Sequence, residues 1–280
     1  MGTGTPPPGR SGRVRYDVNV SILLTELPLL RRPQAAADLG FSAIECWWPF
    51  ADVVPADREV DAFAAAVCDA GVHLVALNAY GGDLSAGERG LASLPGRESE
   101  FRDNLDVAVG LAGRLGCPAL HVLHGNRDGT DPARQDELAV GHLALAVGSA
   151  ATVGTAVLVE ALSGVERYPL RTASDVVRLL DRVDQEGGAP GARMLCDVHH
   201  LAVNGDDPVQ VVRRHAARIG HVQVADVPGR HQPGTGVLDL AGCVDALREV
   251  GYAGWVGLEY VPLGPSAASF DWLPRAGRAG

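Results

Sequence analysis

The sequence has no lysine. All 24 basic residues are arginine, set against 34 Asp and Glu, for a formal charge of −10 over 280 residues. A chain so charged repels a phosphate backbone unless its cations gather in one patch, and no run of arginines does that. Nucleic acid is therefore not expected as a partner. No apolar run reaches the roughly 18 residues a membrane helix needs, so a membrane is not expected either. The five cysteines (Cys46, Cys68, Cys117, Cys196 and Cys243) are odd in number and lack Cys-x-x-Cys spacing. That suits buried thiols in a reducing compartment better than a disulfide frame or a zinc site. The Gly/Pro/Arg-rich start, Met1 to Arg13, has no apolar core of a signal peptide. A cytoplasmic protein is expected, with residues 1–14 as a disordered tail and 15–280 as one catalytic domain.

What is present points to a layered α/β fold. Hydrophobic residues make up 46% and charged residues 21%, enough to build a large core without staples. Short apolar, β-branched runs recur at Tyr16–Ile22, Ala43–Cys46, His73–Asn78, Ala119–Leu123, Ala156–Glu160, Arg193–Asp197, His221–Val224 and Val256–Glu259. Stretches such as Ala156-Val157-Leu158-Val159 do not alternate, as expected of parallel strands covered on both faces. Helix-period segments separate them: Asp57–Ala70 stopped by Gly71, Glu98–Leu115 stopped by Gly116, Pro132–Val153, Ser174–Val183, Asp207–Ile219 and Leu240–Val250. Short helices are expected at Gln34–Leu39 and after the eighth strand. Eight consecutive βα units predict a single-domain (β/α)8 TIM barrel. The rival, a doubly wound sheet, lacks a G-x-G-x-x-G after its first strand. The Gly/Pro-rich loop from Gly81 to Arg97 reads as an active-site lid.

In such a barrel the reactive groups sit at the C-terminal ends of strands. The late strands end in Glu160, Asp197, Gln223 and Glu259, at intervals of 37, 26 and 36 residues, so four successive strands each deliver one oxygen-bearing side chain to the same mouth. Three carboxylates brought together there repel one another unless a cation holds them. One divalent metal ion, Mg²⁺ or Mn²⁺ with Co²⁺ also admissible, suits that oxygen set. Taken singly, each acidic strand end also reads as a loop-capping side chain.

Several segments resemble the hydroxypyruvate isomerase family, within the xylose isomerase-like TIM-barrel superfamily. They are Asn19-Val20-Ser21, Thr25-Glu26-Leu27-Pro28, Trp48-Pro49-Phe50, Gly87-Glu88-Arg89-Gly90, Leu94-Pro95-Gly96-Arg97-Glu98, Val159-Glu160-Ala161-Leu162-Ser163, Asp197-Val198-His199-His200, His221-Val222-Gln223-Val224-Ala225, Gly229-Arg230-His231 and Gly254-Trp255-Val256-Gly257-Leu258-Glu259-Tyr260. The likeness runs in order from Tyr16 to Pro262. It implies that Glu160, Asp197, Gln223 and Glu259 bind the metal, that Glu160 and Glu259 are the acid/base pair, and that His200 and Arg230 touch substrate oxygens. The implied reaction interconverts a small hydroxy-keto acid or sugar through an enediol or enediolate, with hydroxypyruvate as the leading substrate and a 2-oxo-tetronate or keto-sugar as the alternative. A homodimer accords with related barrels.

Other positions stay open. Glu45 ends the second strand and suits either the site or a salt bridge with an arginine. Glu166 follows Glu160 at a spacing that resembles substrate-contacting glutamates of sugar epimerases. Arg89 and Arg97 on the lid suit either closure over an anionic substrate or simple solvation. Where the subgroup often has Glu-Tyr-Lys-Pro, this chain reads Glu259-Tyr260-Val261-Pro262, which puts hydroxypyruvate itself in question. His124 and His199 are open between a repolarised pocket and a hydrogen-bonded wall. Two other classes compete: metal-dependent phosphodiester cleavage, disfavoured by the −10 charge, and a non-catalytic barrel or one redirected to a biosynthetic pathway.

Overall fold

A computed structural model describes residues 14–188 and 191–279 of the chain. The expected disordered tail lies outside the described residues except for Val14, which is buried. Eight parallel strands close in chain order: β1 (Arg15–Asn19), β2 (Ala43–Cys46), β3 (His73–Asn78), β4 (Ala119–His121), β5 (Ala156–Glu160), β6 (Ala192–Asp197), β7 (Ile219–Val224) and β8 (Trp255–Leu258). Closure comes from β8 pairing with β1, with Asp17 opposite Gly257 and Val18 opposite Leu258. The expected (β/α)8 barrel is the observed fold.

The outer ring holds α1 (Arg32–Asp38), α2 (Asp57–Ala70), α3 (Glu98–Leu115), α4 (Pro132–Ala151), α5 (Ala173–Gly187), α6 (Val198–Val203), α7 (Pro208–His215) and α8 (Leu240–Glu249). The longer helices bury an apolar stripe. In α5 that stripe is Val176, Leu179, Leu180 and Val183. The helix also starts earlier and ends later than its sequence pattern implies. The Thr172 hydroxyl accepts from Asp175 N, and the Asp175 carboxylate accepts from Thr172 N at 2.8 Å, a reciprocal cap that fixes the start. Glycines in the left-handed region stop α2 and α3 where expected, at Gly71 and Gly116.

The closed sheet has two interiors. Between strands and helices lies the main apolar core. Inside the barrel, Ala76, Ala119, Leu158 and Leu195 form a separate small cluster. A buried polar group, Asp17, Glu45 and His221, stands among the strands β1, β2 and β7. Gly257 on β8 makes room for it, because a Cβ there would fall 2.6 Å from a Glu45 oxygen.

Two differences from the sequence reading matter for function. β1 ends at Asn19 rather than Ile22, because the Asn19 side chain accepts from Ser21 N at 2.9 Å and turns the chain. An unanticipated helix, α6, begins directly at the end of β6, with Asp197 as its N-cap. The Gly81–Arg97 lid is well anchored. Gly90 N donates to Gly81 O, Ser93 N donates to His124 O, and the Asn126 amide donates to Gly87 O at 2.8 Å. Gly90 has φ +100, and any side chain there would strike the Leu123 carbonyl.

Candidate active site

The C-terminal ends of the strands enclose a cavity of about 360 Å³, lined by Glu160 and Glu259 together with His121, His200, Arg230 and the lid residue Arg89. The two expected acid/base glutamates therefore face one space. Glu160 closes β5, and its main-chain carbonyl is held by the Tyr168 hydroxyl. Glu259 follows β8 directly. Its Oε1 accepts from Trp47 Nε1 at 2.6 Å and from Asn19 Nδ2 at 3.1 Å, while Arg230 donates to its Oε2. Arg230 is delivered by the loop after β7. That loop is organised by the Asp226 carboxylate, which accepts the backbone N–H groups of Val227, Gly234, Gly236 and Leu238. Arg230 itself takes a left-handed φ of 54, and its carbonyl accepts from Val261 N at 2.8 Å.

Asp197 splits its duties. As N-cap of α6 its Oδ1 accepts from His199 N at 2.7 Å and His200 N at 3.2 Å. Its Oδ2 is buried without a hydrogen bond, and so is Glu160 Oε1. His200 Nε2 lies 3.6 Å from Asp197 Oδ2 and 4.0 Å from Glu160 Oε1. The backbone N–H of Ser163 donates to His200 Nδ1 at 3.1 Å, so Nδ1 carries the lone pair and Nε2 carries the proton. Burial pushes the imidazole down to about 4, so it is neutral near pH 7. In that tautomer Nε2 is a donor aimed into the cavity, not a metal ligand.

Gln223 is oriented by Glu45. Its Nε2 donates to Glu45 Oε1 at 2.7 Å. Because only the amide nitrogen can donate to a carboxylate, the amide oxygen is the atom left free of that bond. Glu45 also accepts from Asn19 Nδ2 at 2.9 Å and contacts His221 Nε2 at 2.7 Å. No arginine lies within ion-pair distance of Glu45 among the described residues; its ion-pair partner is the buried His221, and Glu45 is not among the residues that line the cavity. Behind it, Asp17 is fully buried with both oxygens unbonded.

The electrostatics follow from crowding. Burial and the neighbouring charges of Asp197 and Glu259 push Glu160 well above the usual carboxylate range. Glu259 is pushed up to about 7, chiefly by burial; Arg230 opposes the shift, and Asp197 and Glu45 add to it. Burial alone would lower His221, yet the hydrogen bond and charge of Glu45 raise it. Burial, then Glu45, raises Asp17 well above its ordinary value.

The other candidates separate clearly. Glu166 is exposed and is not among the cavity-lining residues; only its carbonyl is engaged, by Arg171 at 2.9 Å. His124 lies beyond β4, edge-on to Tyr168 and 3.4 Å from Asp136, and His199 Nδ1 meets Asp226 O at 3.0 Å; both belong to the wall. Arg97 is occupied by Glu88 and Glu100. Sequence reasoning missed His121, Asn19, the Asp17–His221 pair and the hydrogen bond of the Trp47 indole N–H to Glu259.

The donor set can be tested against a divalent ion without reference to other proteins. Asp197 Oδ2 and Glu160 Oε1 are buried without hydrogen bonds, and the two residues each bring a carboxylate oxygen within 4.8 Å of the other's. The Gln223 amide presents an oxygen, and Glu259 adds a third carboxylate. Arg230, 3.8 Å from Asp197 Oδ2 and bonded to Glu259, supplies one positive charge against three acids. The residues fit a hard, oxygen-liking cation.

Comparisons with known proteins agree with this architecture. A family model described as xylose isomerase-like TIM barrel matches residues 33–276. A Streptomyces coelicolor protein named "Putative hydroxypyruvate isomerase" is 52% identical over 271 residues, covering 95% of this chain and 97% of the relative. A Cupriavidus necator protein named 2-oxo-tetronate isomerase is 35% identical over 273 residues, covering 94% and 99%. Among solved structures, a family 2 AP endonuclease from Brucella melitensis is similar at a TM-score of 0.85 and 33% identity, covering 92% of this chain and 97% of that one.

Proposed function

Because the chain belongs to the xylose isomerase-like TIM-barrel family and is an isomerase of the hydroxypyruvate isomerase-like kind, we propose that it interconverts a small hydroxy-keto acid with its aldehyde isomer by proton transfer between adjacent carbons. Hydroxypyruvate and tartronate semialdehyde are the first pair, a 2-oxo-tetronate the second. One observation carries the reading: two buried glutamates, both with pKa values raised above the usual carboxylate range and that of Glu259 to about 7, line a single cavity at the catalytic end of the barrel.

Glu160, Asp197, Gln223 and Glu259 would hold one divalent ion, Mg²⁺ or Mn²⁺ by the hardness of the donors. When bound, the ion supplies Lewis-acid stabilisation of negative charge on substrate oxygens. The protein groups do the rest. One of the two glutamates takes the proton from the hydroxymethyl carbon, leaving an enediolate across the two adjacent carbons, and a carboxylic acid returns a proton to the neighbouring carbon. The hydroxyl proton moves to the former ketone oxygen, so no electrons leave the substrate. His200 Nε2–H donates to a substrate oxygen and, being neutral, does so without competing for the proton. Trp47 Nε1 and Asn19 Nδ2 fix the Glu259 carboxylate, and Leu84, Leu123 and Leu162 keep water from the reacting carbons.

The test is deuterium wash-in from D₂O onto a panel of small keto acids and ketoses. Wild type is expected to exchange the carbon-bound proton of hydroxypyruvate, and Glu259→Gln to lower that rate by about 10³-fold or more while remaining folded. Retained exchange in Glu259→Gln removes this residue from the mechanism. Likeness to the Brucella endonuclease motivates one rival, phosphodiester cleavage. Incision of a DNA duplex with an abasic site, with no wash-in on any carbonyl compound, would establish it instead.

A further inference from the structure

Three arginines approach the cavity or its lid, and their partners differ. Arg230 is spent on Glu259 and lies near Asp197. Arg97 is spent on Glu88 and Glu100. Arg89 lines the cavity, yet no carboxylate lies within ion-pair distance of it among the described residues. The adjacent lid acid in sequence, Glu88, is committed elsewhere: its Oε1 accepts from Arg97 and its Oε2 from Asp83 N at 2.7 Å.

The Arg89 guanidinium is nevertheless fixed. Both NH1 hydrogens go to lid carbonyls, Leu84 O at 3.0 Å and Glu88 O at 2.6 Å. That leaves the other edge, Nε–H and the NH2 group, as an unused fork of the kind that grips a carboxylate side-on. Partial burial and the positive charge of Arg230 both disfavour its cationic form. A half-buried cation held in place with no counter-charge, lining a cavity that also bears Glu160 and Glu259, is an incomplete ion pair. The glutamates repel an anion and the lid attracts one, so a molecule with a carboxylate at one end and neutral oxygens at the other has one favourable orientation.

We propose that Arg89 is the specificity residue of this enzyme, binding the carboxylate of a hydroxy-keto acid from the lid side and so selecting acids over neutral ketoses. The inference rests on the isomerase reading above and adds which end of the substrate meets the lid. It also gives the two lid arginines different roles, Arg89 in binding and Arg97 in holding the lid.

The experiment compares two ligands of one skeleton, hydroxypyruvate and dihydroxyacetone, in which a hydroxymethyl group replaces the carboxylate. Deuterium wash-in is measured on the metal-loaded full-length enzyme for wild type, Arg89→Gln and Arg89→Lys. Binding of the non-isomerisable acid tartronate is titrated by calorimetry in parallel, with glycerol as the neutral control. A bidentate charged contact predicts a 10- to 100-fold loss for Arg89→Gln, roughly, in tartronate affinity and in kcat/KM for hydroxypyruvate, mostly through KM. Arg89→Lys keeps the charge without the fork and is expected to recover part of it. Exchange of dihydroxyacetone should stay within about 3-fold. Unchanged tartronate affinity in folded Arg89→Gln overturns the proposal, as does an equal loss on both substrates. Wild type that exchanges dihydroxyacetone as fast as hydroxypyruvate overturns it while leaving the isomerase reading intact. If no compound exchanges, the isomerase reading fails, and the tartronate comparison still decides whether Arg89 binds acids.

Discussion

Gly257 offers a way to test whether Glu45 is the keystone of the polar interior. An added Cβ would lie 2.6 Å from Glu45 Oε2, 2.7 Å from Cδ and 2.8 Å from Oε1. Its backbone is not left-handed, so alanine brings no dihedral strain of its own, and the whole effect passes through the carboxylate. Restoring ordinary contact near 3.4 Å requires Glu45 to retreat by about 0.6–0.8 Å. It is held by Asn19 at 2.9 Å, Gln223 at 2.7 Å and His221 at 2.7 Å, none of which stays in good geometry after such a shift. Overpacking a buried site costs about 1–3 kcal/mol, and hydrogen bonds to a charge are each worth about 1.5–3 kcal/mol, partly retained on relaxation. Gly257→Ala is therefore expected to destabilise by about 3 kcal/mol, a Tm lower by about 6–12 °C at this chain length. A double-mutant cycle identifies the cause. In a Glu45→Ala background the new methyl group meets no carboxylate, and its cost should fall below about 0.5 kcal/mol. Urea unfolding of the four proteins gives the coupling. Equal cost of Gly257→Ala in both backgrounds would refute the keystone role.

The remaining expectations concern the ion and the protons that compete with it. Added Mn²⁺ should raise the Tm of dialysed protein, by about 2.7 kcal/mol of stability at a hundredfold excess over Kd, and Asp197→Asn should abolish most of that rise; a Tm indifferent to Mn²⁺ in wild type argues against the site. Glu160 and Glu259 hold protons in the folded state that the unfolded chain has already released above its ordinary value of 4.5. The contribution of Glu259 to the stability of the metal-free protein should thus decline as pH rises from about 4.5 to about 7, because at this group the folded state binds more protons through that window. Over the same range Mn²⁺ should bind more tightly, since the ion and the protons compete for the carboxylates. Denaturant titrations at pH 5 and 7.5, each with and without Mn²⁺, are run on wild type and on Glu259→Gln, so that the opposite contribution of the buried neutral His121 and His200 cancels; a metal-free wild type that loses no more stability with pH than Glu259→Gln would contradict the assignment.

Much of the fold was legible because parallel strands covered on both faces leave continuous apolar runs, and because glycines such as Gly71 and Gly116 end helices where a left-handed residue is required. The acidic strand ends were legible for the same reason: a carboxylate closing an apolar run has few structural excuses. The rest of the site was hidden by geometry that leaves no spacing signal. Asn19 was read as mid-strand, although Asn19-Val20-Ser21 carries the side-chain turn that ends β1. His121 was passed over for His124, because the apolar run continues to Leu123 while the ladder stops two residues earlier. Asp17, Glu45 and His221 come from three separate strands and meet only inside the closed barrel. Which lid arginine is free was likewise invisible, since it depends on where Glu88 points.

The polar interior poses a charge problem that constrains what the barrel can do. Five buried acids, Asp17, Glu45, Glu160, Asp197 and Glu259, share the space with Arg230 and the raised His221 as their contacting cations. Leaving the surplus charges ionised in a medium of low dielectric costs several kcal/mol each, more than one guanidinium and one imidazolium return. The three acids with raised pKa values are the ones that take protons when no other cation is present. They differ in what can replace those protons. Glu160 and Glu259 face the cavity, where an ion or a substrate can reach them. Asp17 is shut behind Glu45, with neither oxygen bonded, and has only its proton. A bound ion would therefore discharge the two cavity-facing glutamates and leave Asp17 neutral, converting the same side chains from stored acid to working base without moving the backbone. The separation of Asp17 from the cavity by Glu45 is what makes that division possible, and it is why a displacement of Glu45 from its place over Gly257 should disturb both stability and proton transfer.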